Sequence, residues 1–398
     1  MPYLIVFLLA LLFTYQYDIK RRIQGKETAY FILFLAVVLL AGCRYVVGGD
    51  TVRLMRYWEN FPTLSDDYIS VINTIFEPLW SFLNITCKSI SDDFVFFQFV
   101  HAILLNGILF YGVFKKQEYF KSHRFTVVFF YMVYYLLYFN MEVMQEALAI
   151  ALFLLSLPYY QNKKWIKYYS LAAISFLVHA SAVVVFFIPY FRNRTFKLRY
   201  VIVVALVIGA FSVTAGYVLS NWLGPQIYAK FELYKEAGMN INGRILRIIE
   251  FIIIPLIVIH INDVKLKKRF SLYANFYMAY FYVAAVSIGN TAIGGRFLNY
   301  VALIMIGYYV YVLYNIARSR YFDGLRNLML VLFIAIPLVR NYQTYFKDTS
   351  NVLKNTKNYF HWYPYTSVFQ KGDEDTERLV LERIYYADKK MSMSMRKN

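Results

Sequence analysis

The sequence predicts an all-α, polytopic integral membrane bundle of about ten spanning helices with one or two re-entrant or interfacial segments. Hydrophobic residues make up 60% of the chain and charged ones only 17%, where ordinary soluble domains run near a quarter charged. Apolar runs long enough to cross about 30 Å of hydrocarbon recur along the whole chain between short polar loops. Many of the 39 Tyr and 36 Phe sit at the ends of those runs, where amphipathic rings favour the headgroup region. The formal charge of +18 does not mark a nucleic-acid binder, because the Lys and Arg sit in short loops rather than on one face or in an arm.

In order, the apolar runs occupy about 2 to 17, 28 to 47, 93 to 114, 124 to 140, 143 to 160, 199 to 222, 245 to 262, 271 to 289, 298 to 316 and 327 to 345. The first begins without a basic n-region or a small-residue cleavage site and is expected to be a retained membrane helix. Residues 68 to 90 alternate apolar positions with Ser, Asn, Thr and Glu around Pro78, the pattern of an interfacial or re-entrant segment. Residues 168 to 191 are apolar enough to span but carry His179 at their centre. Cys43 and Cys87 have neither disulfide nor metal spacing and read as packing residues.

The loops set the orientation. Lys20, Arg21, Arg22 and Lys26 follow the first run, Lys115, Lys116, Lys121 and Arg124 the third, and Lys163, Lys164 and Lys167 the fifth. Basic loops stay cytoplasmic, which places the N-terminus outside. Residues 168 to 191 then have a basic loop at each end, the second holding Arg192, Arg194, Lys197 and Arg199. A hairpin that dips in and returns keeps both loops cytoplasmic and puts His179 at its turn, with a single kinked span as the alternative. A membrane domain over 1–345 and an external aromatic and charged tail over 346–398 complete the expected organisation.

The predicted external segments hold the unusual polar chemistry. Arg44, at the end of an apolar run, precedes Gly48, Gly49, Asp50, Thr51, Arg53, Arg56 and Tyr57. A charge there is costly and usually functional, though Arg44 and Asp50 also suit a structural pair. Glu142, Gln145 and Glu146 open another apolar helix, where the acids also serve as ordinary dipole complements. Arg244 lies near Arg247 and Glu250, which are spaced to pair with each other. Gly294, Gly295, Arg296, Asn299 and Tyr300 begin a later run. A guanidinium is always charged and presents a planar fork to phosphate oxygens, so Arg44, Arg244 and Arg296 suit a pyrophosphate clamp. The aromatic stretch Tyr359 to Tyr365 fits sugar stacking but suits interfacial anchoring better. The five histidines are scattered and no carboxylate cluster has a divalent-cation pattern, so neither a metal site nor a cofactor is expected.

From Arg44 to Tyr57 the sequence resembles the EpsG family of membrane proteins, relatives of the Wzy-type polysaccharide polymerases. The family's Arg, Gly, Asp and Tyr after the second helix are matched by Arg44, Gly48, Asp50 and Tyr57, and its Glu-Pro-Leu by Glu77, Pro78 and Leu79. Its Phe-x-His-x-Ser-Ala stretch resembles residues 177–182, with Leu177 in place of phenylalanine, and its late Arg with Tyr four residues on is matched by Arg296 and Tyr300. Where the family usually has an Arg-Gln pair before its Ala-rich helix, this chain reads Gln145-Glu146-Ala147-Leu148-Ala149, so that arginine is absent.

The resemblance implies a metal-independent glycosyltransferase of the bacterial cytoplasmic (inner) membrane, its active site facing outward. It would polymerise undecaprenyl-diphosphate-linked oligosaccharide repeats into exopolysaccharide, capsule or O-antigen, alongside membrane lipid and other polysaccharide assembly proteins. Arg44, Arg296 and Arg244 are then expected to hold the diphosphate, with Gln145, Tyr57 and Tyr300 as further substrate contacts, and Asp50 or His179 to act as base. A flippase or transporter of lipid-linked sugars fits the same composition but calls for a repeat between halves, and no partner for residues 168 to 191 is visible. A membrane acyltransferase that decorates glycans would need an acid near its histidine, and none is close to His179 in sequence.

Overall fold

The computed structural model describes residues 2–66, 76–192, 203, 207, 241–268, 270–289, 291–317, 323–345 and 358–370. The predicted run at 199 to 222, apart from residues 203 and 207, and the charged tail beyond residue 370 lie outside the described residues, and so does the side chain of Asp50. Among the described residues every regular element is a helix, the only β-type pairing being isolated bridges at Arg44, Ser367 and Gln370. Helices Pro2–Ile19, Phe94–Phe114, Lys121–Glu142, Gly243–Lys265 and Gly294–Ala317 are long and apolar enough to cross a membrane. Trp165–Val178, Ala180–Phe191, Tyr277–Ile288 and Asn327–Arg340 are shorter apolar helices. The chain is therefore an all-α, multi-pass membrane protein.

The chain divides into two compact units, the first comprising Met1–Lys116, His123–Ala151 and Val331–Asn398, the second Gln117–Ser122 and Leu152–Leu330. In the first, every residue from Arg124 to Leu136 is buried, as expected of a helix that is apolar all round. The N-terminal helix Pro2–Phe13 buries only Val6 and Ala10, one helical turn apart, against it and leaves Leu4, Ile5, Leu8 and Leu12 exposed. The Lys26–Gly42 helix packs on Phe94–Gly107 through Val38, Ala41 and Ala102. Several segments close with wide π-type turns, seen in the bonds from Lys20 N to Tyr15 O and from Lys115 N to Phe110 O. Two of these turns run into lysines, whose charge complements the exposed carbonyls of a helix C-terminus.

The two ends of this unit differ. Glu27 pairs with Lys115 at 2.7 Å and with Arg124, while Asp18 accepts from the Thr126 amide at 2.8 Å. The basic loops after the first and third runs thus stand at one end, as the charge pattern requires. The opposite end gathers Tyr3, residues 43–49, residues 138–145 and the segment 358–370. Here the Tyr3 hydroxyl donates to the Trp362 carbonyl at 2.8 Å, and Trp362 packs with Val47 and Met141. Of residues 68 to 90, the described part forms the helix Pro78–Ile90. Thirteen residues reach only about 20 Å, too short to span and in keeping with an interfacial segment.

In the second unit, Thr291–Ala317 is the central helix, with every residue from Leu298 to Val310 buried. Tyr277–Gly289 lies back along it, and a Cβ at Gly294 would come within 2.5 Å of Ser287 Cα, so the two backbones touch where only glycine fits. Residues 168 to 191 are the expected hairpin. Trp165–Val178 ends at His179, whose backbone is extended, and Ala180–Phe191 returns as a 3-10 helix. The Tyr168 hydroxyl donates to Val185 O at 2.6 Å, Tyr169 stacks on Phe186, and Arg192 donates to the Tyr160 and Gln161 carbonyls. Arg192 therefore ends beside the loop holding Lys163 and Lys164. A single kinked span would separate them by the membrane thickness.

Candidate functional site

Among the described residues, each unit brings sequence-predicted polar side chains together away from its basic loops. In the first, Arg44 follows the Lys26–Gly42 helix and is only 1% exposed. Its guanidinium donates to Val47 O at 3.0 Å, to Ala41 O, and to Thr51 Oγ1 at 3.2 Å, and touches Met144 Sδ at 3.3 Å. Gln98 holds the same loop from the neighbouring helix, donating to the carbonyls of Gly42 and Arg44 at 2.9 and 2.8 Å. The planar fork is occupied by the chain's own carbonyls, which fixes the turn from 41 to 51.

That turn is tight. Gly48 has φ +108°, and a Cβ there would lie 2.7 Å from Met141 O. Val46, a β-branched residue, is held at φ +52°, a conformation that costs of order 1–3 kcal/mol and persists only under the surrounding bonds. Gly49 N donates to Glu142 Oε1 at 2.7 Å, so Glu142 caps the N-terminus of the Gly49–Glu59 helix. Replacing Gly48 by alanine is expected to destabilise the protein by about 2 kcal/mol or more, from the left-handed backbone and the collision with Met141. Thermal unfolding of the detergent-purified variant measures this, and an unchanged midpoint would refute it.

The remaining first-unit candidates are also placed. Gln145 donates to the Glu77 carboxylate, bringing together two segments 68 positions apart in sequence. Tyr57 is 39% exposed and packs edge-on against Phe76 at 5.4 Å between ring centroids. Asp50 lies in the first turn of Gly49–Glu59. The aromatic stretch is folded onto the Arg44 turn: Gly48 N donates to His361 O at 2.8 Å, Tyr45 N to Thr366 O at 3.0 Å, and Val368 N to Cys43 O at 3.0 Å.

In the second unit, His179 at the hairpin turn meets Arg296. Nε2 lies 3.5 Å from Arg296 Nη1, while Nδ1 lies 2.6 Å from Ser181 Oγ and 3.2 Å from the Ser181 amide nitrogen. Ser181 Oγ is in turn 3.1 Å from the Tyr300 hydroxyl. The local logic is helical. Arg296 and Tyr300 are four apart on the Thr291–Ala317 helix and so share a face, and the extended backbone at His179 turns both its ring and Ser181 toward that face. Arg247 lies beside them, since a Cβ on Gly295 would be 3.2 Å from its Nη2, and it approaches Ser287 O at 3.4 Å. Arg244, one turn earlier, is exposed.

Three polar residues in this architecture had no role in the sequence reading. Gln98 and His101 sit inside an apolar run, itself the signal of a functional or structural intramembrane group, and His101 Nε2 contacts Met144 O at 2.9 Å. Ser181 stands in the histidine motif, two residues after His179. Among the described residues, no group of three or more His, Cys, Asp or Glu side chains comes together as a metal site.

The EpsG family matches the chain over residues 27–367, which takes in both polar clusters and all but the first helix of the described bundle. No curated protein and no solved structure matches it. With a match that spans most of its length and runs from the second helix to the segment closing the Arg44 turn, this chain belongs to the EpsG family of membrane proteins of polysaccharide biosynthesis.

Proposed function

We propose that this protein is a membrane glycosyltransferase that polymerises undecaprenyl-diphosphate-linked oligosaccharide repeats on the outer face of a bacterial cytoplasmic membrane. The observation that carries the reading is the Arg296 to His179 contact at 3.5 Å. In an in-line displacement the attacking and leaving oxygens stand about 4.5 Å apart, one approach distance of about 3 Å plus one bond. A base nitrogen and a guanidinium nitrogen 3.5 Å apart, each within hydrogen-bond reach of its own oxygen, flank one anomeric carbon. As Arg296 turns its N–H from Nε2 to the diphosphate, His179 Nε2 takes the acceptor hydroxyl proton while the new glycosidic bond forms. Arg296 stabilises the charge that develops on the departing diphosphate.

In this assignment Arg44 organises the turn that carries Asp50, and Tyr300 acts through the histidine cluster. Arg244, Tyr57 and Gln145 remain candidate contacts for the rest of the substrate. Asp50 is the competing base. His179→Gln is expected to lower polymer formation by about 10²-fold or more and Asp50→Asn by less, measured with membranes of matched protein content; the reverse order would transfer the base role to Asp50.

The function itself is tested by the lipid-linked glycans of cells lacking the protein. A single repeat on its carrier, accumulating on the outer face and cleared by the wild-type protein, supports the polymerase. Repeats trapped on the cytoplasmic face would identify a flippase, and intact polymer lacking acyl groups would identify an acyltransferase.

A further inference from the structure

We infer that Arg247 is the second cation of the diphosphate site: it takes the phosphate next to the lipid, while Arg296 takes the phosphate next to the sugar. The inference rests on the polymerase reading for the sugar alone, and on the placement of the two arginines for the lipid diphosphate. Gly295, the residue before Arg296, faces Arg247 across the unit. A Cβ on Gly295 would lie 3.2 Å from Arg247 Nη2, 3.3 Å from Nη1 and 3.7 Å from Cζ, so the guanidinium stands where a side chain would otherwise begin. Consecutive helical residues are about 100° apart around the axis and about 1.5 Å apart along it. Arg247 therefore reaches the turn that carries Arg296, coming from the neighbouring helix Gly243–Lys265.

The two glycines before Arg296 do different things. Gly294 admits the backbone of Ser287, and Gly295 admits the guanidinium. Arg247 Nη1 donates to Ser287 O at 3.4 Å. That carbonyl belongs to the last turn of Tyr277–Gly289, where carbonyls lack intrahelical donors and favour a cation. Arg247 and Arg296 are both half-buried, so a ligand can reach them, whereas Arg44 is sealed in its turn and Arg244 stands exposed.

A lipid-linked sugar diphosphate carries one negative charge on each phosphate, and a guanidinium matches one phosphate with its planar fork. Leaving the other charge unmatched beside hydrocarbon is costly. Arg296 touches His179 at 3.5 Å and so adjoins the reacting carbon, which gives it the sugar-side phosphate. Arg247 stands on a helix that leaves Ile245, Leu246, Ile248 and Ile253 exposed. An isoprenoid chain shares the hydrocarbon with that apolar surface, which gives Arg247 the lipid-side phosphate.

The test is binding of farnesyl diphosphate and farnesyl monophosphate to the full-length protein in detergent. The wild-type protein is expected to prefer the diphosphate. Arg247→Ala is expected to weaken diphosphate binding about tenfold or more and monophosphate binding little, the retained monophosphate affinity showing that the site is folded. Gly295→Val, which leaves Arg247 in place but fills its position, is expected to lose the same preference in the wild-type background and nothing further beside Arg247→Ala. A wild-type protein without the preference, an equal loss for both probes, or a loss on Arg244→Ala in place of Arg247→Ala would each overturn the inference. Because the assay involves no transfer, it separates the two readings. A diphosphate preference that depends on Arg247 in a protein that joins no repeats would keep the site and sink the polymerase, and polymer formation with an Arg247→Ala protein of unchanged preference would do the reverse.

Discussion

Arg44→Ala is expected to lower the amount of folded protein in the membrane and its melting temperature well before any question of turnover arises. The guanidinium bonds Val47 O, Ala41 O and Thr51 Oγ1 within a buried turn. Alanine removes this donor from Ala41 O and Thr51 Oγ1 at roughly 1–3 kcal/mol each, leaves Val47 O only its bond from the Thr51 hydroxyl at 2.9 Å, and opens a cavity beside Met144. It also releases Val46 from the bonds that hold it in a strained conformation. Lysine does not substitute, because a point ammonium cannot reach acceptors spread around a planar fork. Thermal unfolding in detergent, beside immunoblots of membrane fractions, checks this. An Arg44→Ala protein as stable as wild type but unable to polymerise would place the guanidinium on the substrate after all.

Arg296→Ala is expected to behave oppositely: normal abundance, normal melting, and a loss of polymer formation of about 10²–10³-fold. That is the usual consequence of removing one preorganised group from a developing negative charge. Arg296 is only partly buried, and its contact with His179 is long for an arginine N–H donor, so little folding energy rests on that contact. Arg296→Lys is expected to recover part of the rate, since charge survives while the fork does not. Polymer length on gels at equal protein content gives the comparison. Equal damage to stability by Arg296→Ala and Arg44→Ala would remove the distinction between an organising and a transferring arginine.

The helical bundle was legible because hydrocarbon imposes a length and a composition on anything that crosses it. The hairpin at residues 168 to 191 was legible for a different reason: charge bias reports which side a loop occupies, and two basic loops around one apolar segment admit few paths. The finer breaks were not. The run at 143 to 160 divides into Met144–Leu154 and Leu157–Gln161, with Ser156 buried between them, a kink that hydropathy averages away. The clusters were legible as residues but not as partners. Glu142 and Gly49 are 93 positions apart, Gln145 and Glu77 68, and Arg296 and His179 117, and no local periodicity encodes such contacts. The same limit applies to Arg244 and Arg247. They are three apart in sequence, yet one is exposed while the other lies against Gly295, a choice set by where neighbouring helices lie.

The segment 358–370 carries a consequence for biogenesis. Its backbone bonds to residues 43–48, and Tyr3 donates to Trp362, a contact between positions 359 apart. A ribosome adds about 5–20 residues per second, so the first two helices wait tens of seconds in the bilayer before the strap that fastens their connecting turn has been made. Until then the strained turn around Arg44 lacks its outer bonds. Nascent chains halted short of residue 358 would present an unfastened first unit to membrane quality control, however complete their hydrophobic spans.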